Sequence, residues 1–389
     1  MSGQSEVDVA IMLHDLAETG VARNALAIAE AAHHAGLRTE IWVVDGAGPL
    51  VGQVPYGVGL VTLGGSKLKW RNRRLADVMA IGGLAKIFRQ RRPAVALSAG
   101  NHFHITASAA YLLAGSPVFV RLLFRASNPP FHRRKPRIGS FLAWLYRLRF
   151  RGAQRVISVS EELREILVKE VGLDPSRVVT ITNSIDLKAT RDRAAQAPEH
   201  PWFVAGEPPV ILGIGRLTQQ KNFSLLIKAF AEVQEVRPSR LVIIGDGAGE
   251  ELAKLQALVA SLGLMSTDVW FAGHQPNPLK FLANAGLFVL SSNWEGMSNV
   301  LLEAMACGCP VVATDCPTGV REQLDNGRIG PIVPVNDRKG LANAMIRRLG
   351  EPRSSQILLE FAAHFDRDHM LLAYEHLFKT EINDGKTVG

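Results

Sequence analysis

The chain has 389 residues, 47% hydrophobic and 21% charged, with a formal net charge of +8. That apolar share fills packed cores and excludes wholesale disorder, and the length suits two or three domains. The net charge averages two unlike parts. Residues 46–160 hold 19 Lys and Arg against one acid, Asp77, a net of +18; the remaining 25 basic and 35 acidic residues net −10. A basic segment in an otherwise acidic chain points to an anionic partner.

Short β-branched runs and helical patterns alternate from the start. Residues 7–13, 39–44, 94–98, 118–124, 155–159 and 178–181 read as strands. Residues 21–35, 73–91, 103–114, 138–149 and 161–171 read as helices between them. The strands are apolar on both faces, as in a parallel sheet covered by helices. Residues 186–209 break the alternation with four acids, three Lys and Arg and four prolines, and read as a linker. Alternation then resumes. Residues 210–214, 241–244, 269–271, 287–290 and 310–313 read as strands, and 223–236, 250–262, 299–306 and 338–349 as helices. The fold class expected is α/β, with two doubly wound, Rossmann-like domains that face across a cleft and offer ligands their carboxyl strand ends.

Composition sets further limits. Cys307, Cys309 and Cys316 are odd in number and clustered, which suits structural thiols in a reducing compartment better than disulfides. No zinc spacing is present, and no metal site is expected. Asp8, His14 and Asp15 interrupt the early apolar stretch, so no signal peptide is expected. The longest uncharged apolar stretch, 105–120, contains Gly115-Ser116-Pro117 and is too short to span a membrane. A soluble protein, or one bound to a membrane surface, is expected.

Two stretches carry chemistry. Strand 210–214 ends at Gly215 and is followed by Arg216-Leu-Thr-Gln-Gln-Lys221-Asn222, where Asn222 suits a helix cap. Two cations where a strand end meets a helix N-terminus suit phosphate, though two solvated loop cations would look the same. A second glycine turn, Gly245-Asp246-Gly247, closes strand 241–244; alone it is a weak signal. The second stretch, Ser291 to Pro310, holds Glu295 and Gly296 in a loop, Ser298 or Asn299 as cap, and Glu303 one turn into the helix. Two carboxylates beside free amides suit a polyhydroxyl ligand. The alternatives are a Glu303 that only complements the helix dipole, or a glycosidase acid/base pair; the neighbouring anion site argues against the latter.

Glu295 and Glu303 form E-x7-E, followed by Ala304-Met-Ala-Cys-Gly308-Cys-Pro310 and preceded by Gly215-Arg216-Leu…Lys221. This resembles the retaining GT-B glycosyltransferases of family 4, most strongly over residues 210–335. Asp315-Cys-Pro-Thr-Gly319-Val-Arg-Glu322 resembles members that extend lipid-linked or surface polysaccharides. Ile181-Thr-Asn183-Ser-Ile-Asp186 resembles the family's interdomain P-N-G-x-D, with Thr182 and Ser184 as departures.

The resemblance implies domains at 1–185 (acceptor) and 210–365 (nucleotide sugar), the linker 186–209, and a helix and tail at 366–389 that cross back to the first domain. It implies that Arg216 and Lys221 neutralise the diphosphate of a nucleotide sugar, most simply a UDP-sugar, with a GDP-sugar also compatible. No cofactor and no metal are then required. Glu303 would hold ribose. Glu295 would hold the donor sugar, with backbone at Gly296, Met297 and Ser298; Asn299, Gly215, Gly245 and Asp246 would frame the site. In the first domain, Glu18-Thr19-Gly20 matches the family's glycine loop with one glycine in place of a pair. His102 and His104 follow strand 94–98 and are candidates for the acceptor, with helix capping or packing as the alternative. Where many members carry a histidine, Phe124-Arg125-Ala126 has Arg125, the third acceptor candidate.

Residues 121–155 contain ten Lys and Arg and no acid. Arg133, Arg134, Lys135, Arg137, Trp144, Arg147 and Arg149 interleave with an apolar stripe, which suits a helix lying on an anionic membrane. The run Lys67 to Arg74 can add to that face, expected at the mouth of the cleft. The alternatives are an apolar stripe packed inward beneath solvated arginines, or nucleic-acid binding. No binding motif supports the latter, and a nucleic-acid module needs no diphosphate site beside two carboxylates. The reading is a peripheral enzyme on the cytoplasmic face of the cell membrane, moving sugar to a lipid-linked glycan. The same fold could instead serve a soluble acceptor or a sugar-nucleotide epimerase.

Overall fold

The computed structural model describes residues 7–63, 73–117, 119–129, 140–150, 152–247 and 249–388. Described residues before Asn183, together with those from Asp368 on, form one compact unit; Asn183–Arg367 form a second.

In chain order the first unit contains β1 (Val9–Leu13), α1 (Gly20–His34), β2 (Thr39–Val43), β3 (Gly59–Thr62), α2 (Arg73–Arg91), β4 (Val95–Ser98), α3 (His104–Leu113), β5 (Arg121–Ala126), α4 (Ser140–Arg149), β6 (Arg155–Ser158), α5 (Glu161–Glu165) and β7 (Val178–Thr180). All seven strands are parallel, in the order β3-β2-β1-β4-β5-β6-β7. Val9 stands opposite Thr39 on one side and Val95 on the other, so the winding reverses between β1 and β4. Thr39 is the one polar residue in β2's buried row; its hydroxyl donates to the Leu37 carbonyl at 3.0 Å.

The second unit contains α6 (Leu187–Ala194), β8 (Val210–Ile214), α7 (Phe223–Val236), β9 (Arg240–Ile244), α8 (Gly249–Ser261), β10 (Val269–Gly273), α9 (Leu279–Asn284), β11 (Leu287–Leu290), α10 (Asn299–Ala306), β12 (Val311–Thr314), α11 (Val320–Gln323), β13 (Ile332–Val333), α12 (Arg338–Gly350) and α13 (Ser355–Ala362). Its six strands are also parallel, in the order β10-β9-β8-β11-β12-β13, with the reversal between β8 and β11. Alternate residues of each strand serve opposite faces. Ile211, Leu241 and Ile243 pack with Leu226 and Phe230 of α7 and Met345 of α12. Val210, Leu212, Val242 and Ile244 pack with Leu301, Leu302 and Met305 of α10. Two covered faces explain the unbroken apolar runs in the sequence. The chain ends in α14 (Arg367–Val388), whose Tyr374 and Phe378 are buried in the first unit's core.

Several expectations need correction. Residues 186–209 are no plain linker: α6 lies within them, capped by Asp186, whose carboxylate accepts from Ala189 N at 2.8 Å. Trp202 and Phe203 also pack there, against Trp270 and Phe281. Charged residues along α6 masked its helical period. The expected helix 161–171 is the short α5 followed by a wider π turn, Ile166–Glu170. β3 was not anticipated because it is a largely exposed edge strand without a buried row. The strand expected at 118–124 runs instead from Arg121 to Ala126, which moves Arg125 from beyond the strand into it. Among the described residues no helix is long and apolar enough to cross a membrane.

Candidate active site

In an open parallel sheet, ligands meet the carboxyl strand ends where the winding reverses. In the second unit that place lies at the ends of β8 and β11, where the two informative loops converge. β8 runs into Gly215, whose φ of +150° suits glycine. A Cβ on Gly245 would lie 1.9 Å from the Gly215 carbonyl oxygen, so both positions require a bare backbone. Leu217 N donates to the Asp246 carbonyl at 2.8 Å and ties the two turns together. Asn222, at φ +48°, caps α7 by accepting from Leu225 N.

Lys221 and Glu295 meet at this point, with Lys221 Nζ 2.6 Å from Glu295 Oε1 and side-chain exposures of 18% and 8%. Ser292 Oγ donates to the same oxygen at 2.7 Å. Two donors on Oε1 fix the carboxylate's direction. Among the described residues, Oε2 has no partner and can accept from a hydroxyl. Lys221 keeps two further protons for an anion. Arg216 is exposed, and its guanidinium has no partner among the described residues.

Several residues that sequence reasoning missed hold this loop. Glu295 N donates to the Pro317 carbonyl at 2.6 Å, and Thr318 N donates to the Glu295 carbonyl at 2.8 Å. The Thr318 hydroxyl bridges the Glu295 and Gly296 carbonyls at 3.1 and 3.0 Å. Gln323 accepts from Ser298 N and donates to the Ser298 carbonyl, at 2.9 and 2.8 Å. Asn183 donates to the Met297 carbonyl at 3.0 Å and to Asn299 Oδ1 at 2.7 Å. Of these, Asn183 lies in the P-N-G-x-D-like stretch and Thr318 in the Asp315–Glu322 stretch; Gln323 had no signal. Ser298 occupies the N-cap position of α10 but makes no capping bond, and its buried hydroxyl is unpartnered among the described residues. The N–H groups of Gly296 and Met297 are likewise unpartnered among the described residues. The second unit therefore presents an anchored carboxylate, two cations and free amides around one loop.

Glu303 is half-buried on the α10 face that carries Cys307. Burial first, then Cys309 and Glu303, push the Cys307 thiol up to about 12. Burial does the same to Cys309. Both thiols are therefore held in the protonated form. Asp246 is exposed, 3.7 Å from His274 at the end of β10. Among the described residues no group of His, Cys, Asp and Glu could hold a metal ion.

In the first unit the winding reverses at β1 and β4. Gly20 opens α1 there, and Thr19 caps it by accepting from Ala22 N at 3.2 Å. Just after β1, His14 Nδ1 meets Asp77 Oδ1 at 2.5 Å, both buried; nothing in their spacing announced this pair. His102 is exposed. His104 is not available to an acceptor. It lies inside the core, its Nδ1 2.8 Å from Ser98 Oγ and its ring stacked on Phe124 at 4.5 Å. Burial above all, then the neighbouring His102, lower its pKa to about 3. Packing, the alternative reading, is what the structure shows. Arg125 is also internal: its Nε donates to Tyr374 Oη at 3.1 Å.

The basic stretch is sorted by the fold. Arg121 and Arg155 both reach Glu381 of α14, each through Nε, at 2.8 and 2.7 Å. Trp144 is 52% exposed, and Arg147 and Arg149 are exposed beside it. Ile105, Leu112, Tyr146 and Leu148 line an open groove of about 500 Å3 between α3 and α4, with Arg149 at its edge. Arg133, Arg134, Lys135 and Arg137, and the run 67–72, lie outside the described residues; of Arg73 and Arg74 only the backbone is described.

Comparison with solved structures defines the class. The sucrose-phosphate synthase of Thermosynechococcus elongatus aligns over 96% of this chain and 98% of its own, with TM-score 0.80 and 18% identity. An Anabaena protein solved with UDP and glucose aligns over 96% and 100%, with TM-score 0.75 and 17% identity. The two parallel-sheet α/β units, of seven and six strands, are those of the GT-B fold.

Two family models match the sequence: Glycosyltransferase Family 4 over residues 19–189 and Glycosyl transferases group 1 over residues 208–351. The chain belongs to the GT-B glycosyltransferases of the family 4 type. It is 32% identical over 198 residues to the N-acetylgalactosamine-N,N'-diacetylbacillosaminyl-diphospho-undecaprenol 4-alpha-N-acetylgalactosaminyltransferase of Campylobacter jejuni, 51% of each chain. It is 38% identical over 139 residues to a lipopolysaccharide core biosynthesis glycosyltransferase of Rhizobium meliloti, 36% of this chain and 39% of that one. The chain spans about half the length of the curated relatives it matches.

Proposed function

We propose that this protein is a metal-independent, retaining glycosyltransferase that moves a sugar from a nucleotide diphosphate to a lipid-linked glycan. The observation that carries the reading is the Lys221–Glu295–Ser292 cluster at the β8/β11 reversal, with one carboxylate oxygen left open. Arg216 and Lys221 take the diphosphate, assisted by the N–H groups of Gly296 and Met297. Glu295 Oε2 accepts from a hydroxyl of the donor sugar, and Glu303 from the ribose. The bond between the anomeric carbon and the leaving phosphate oxygen breaks. The acceptor oxygen bonds to that carbon from the same face, and its proton passes to the phosphate. Cations aimed at the developing phosphate charge contribute roughly 10²–10³ in rate. Glu295, bound on one oxygen by Lys221 and Ser292, positions the sugar and is not the nucleophile.

A UDP-sugar is the favoured donor, since the Anabaena structure binds UDP. A lipid-linked acceptor is favoured because the Campylobacter jejuni relative is named for a diphospho-undecaprenol substrate. Exposed Trp144, the α3/α4 groove and Arg147 with Arg149 support peripheral attachment to an anionic bilayer, on its cytoplasmic face. Thermal-shift protection by a panel of UDP, GDP and ADP tests the donor site first. Protection by one nucleotide, lost in Lys221→Ala, is expected; no protection by any of the three would sink the assignment. NMR of the product's anomeric coupling then tests retention.

A further inference from the structure

A second cavity, of about 750 Å3, opens in the second unit beyond the Glu295 loop. Its size falls within the ~300–1,000 Å3 of small-molecule sites. Arg216, Lys221 and Glu295 are not among the residues that line it. Its walls come from the loop after β8, the residues just before Glu295, and the turns after β12 and β13. Three asparagines are joined there. Asn222 Nδ2 donates to Asn293 Oδ1 at 3.0 Å and to Asn336 Oδ1 at 3.2 Å, and Asn293 Nδ2 donates to the Gln219 carbonyl at 2.7 Å. These bonds fix the amides' orientation while leaving capacity unused. Asn336 Nδ2 and the whole Gln219 side-chain amide have no partner among the described residues, and Asn293 Nδ2 keeps a second proton. Trp294 lines the cavity beside them.

The chemistry selects among ligands. Among the described residues no Lys or Arg lines the cavity, which argues against phosphate. Asp315, the one carboxylate among the described lining residues, is gripped by Arg321 Nε at 2.9 Å and by Nη2 at 2.7 Å, which argues against a cation. Amides that both donate and accept, next to a tryptophan, match a neutral ring that presents hydroxyls along its edge and C–H groups on its face.

We propose that this cavity is a saccharide subsite, separate from the donor position, that holds a non-reacting sugar of the acceptor glycan. The assignment to the acceptor rests on the glycosyltransferase reading; the binding of a sugar does not.

The test uses the full chain saturated with UDP, so that the donor position is filled. Saturation-transfer NMR with methyl glycosides of glucose, galactose, N-acetylglucosamine and N-acetylgalactosamine should find at least one that binds. The pair Gln219→Ala and Asn336→Gly should weaken that binding at least tenfold. Glycine keeps the φ of +66° that Asn336 adopts. The same pair should leave UDP protection and donor hydrolysis unchanged, and raise KM for a glycan acceptor about tenfold with kcat preserved. Absence of binding by all four glycosides, displacement by UDP, or binding indifferent to the pair each overturns the subsite. Failure of UDP itself to bind strikes the donor reading instead, and the glycoside arm repeated without UDP still decides the cavity.

Discussion

Lys221→Ala separates what Lys221 does for the fold from what it does for chemistry. A hydrogen bond to a charged group contributes about 1.5–3 kcal/mol, and stripping the partner from a fully buried charge costs about 3–5 kcal/mol. Glu295 retains 8% exposure and its bond from Ser292, so the lower range applies, about 2–3 kcal/mol. For a unit of this size that is a fall in Tm of roughly 4–12 °C. On the proposed mechanism, transfer should fall further, by about 10²–10³, because the cation assigned to the leaving phosphate is gone. Glu295→Gln added to Lys221→Ala removes the stranded charge. The double variant should regain most of the lost stability, a coupling of about 2 kcal/mol, and none of the lost transfer. Urea unfolding and initial rates on the same preparations measure both. If the double variant recovers rate along with stability, Lys221 is only a strut for Glu295. If Lys221→Ala transfers at the native rate, the phosphate role is wrong.

Other expected outcomes follow from buried groups and exposed charge. His104, held to a pKa of about 3 in the folded state, binds its proton far more readily once unfolded. Stability is therefore present above pH 6.5 and is lost as pH falls toward 3, at about 1.4 kcal/mol per unit. His104→Gln removes this slope, so the native protein should lose about 2 kcal/mol more than the variant between pH 7 and 5 in urea titrations; equal losses would contradict the burial. Glu381→Gln should destabilise the first unit by about 3 kcal/mol, at the low end for a broken buried pair, because Arg121 and Arg155 are 21% and 27% exposed. Faster proteolysis of that unit is the readout, and an unchanged rate would count against the triad. Arg149→Ala should weaken binding to vesicles rich in anionic lipid about fivefold at low salt, near 1 kcal/mol, with the difference vanishing in high salt. Cosedimentation that ignores both salt and Arg149 would remove the electrostatic part of the membrane reading.

Much of the fold was legible because parallel strands covered on both faces leave long apolar runs. β8, β11, α7 and α10 were bounded correctly to the residue. What escaped was set by partners distant in sequence. α6 carries a charged outer face and is a helix because it packs in the second unit, close to α9 and α10. Arg125 was expected past a strand end, but the strand extends to Ala126, and a hydroxyl supplied by Tyr374, 249 residues on, receives the guanidinium. In the candidate site, the residues that could touch a ligand were readable as motif. The bracing roles of Thr318, inside the Asp315–Glu322 stretch, and of Gln323, just beyond it, were not, because their bonds are to backbone atoms and any residue can stand at the receiving position. Ser292 is the same case: a serine after a strand carries no signal until Glu295 turns back toward it.

The charge pattern shows most clearly how the fold changes a sequence reading. Ten basic residues without an acid between 121 and 155 look like a uniform cationic face. One carboxylate from α14, 260 residues beyond Arg121 and 226 beyond Arg155, holds two of them, and Arg125 is internal. The acid was absent from the window but not from the neighbourhood. Burying Glu381 is tolerable only with both arginines present, since a single buried charge needs paired donors on each oxygen. Those arginines are therefore committed to the packing of α14, and they are not available to an anionic partner. On the proposed membrane reading, the described residues of this stretch left to attract a bilayer are Arg147 and Arg149. A salt dependence matching all ten charges would mean that α14 had come away.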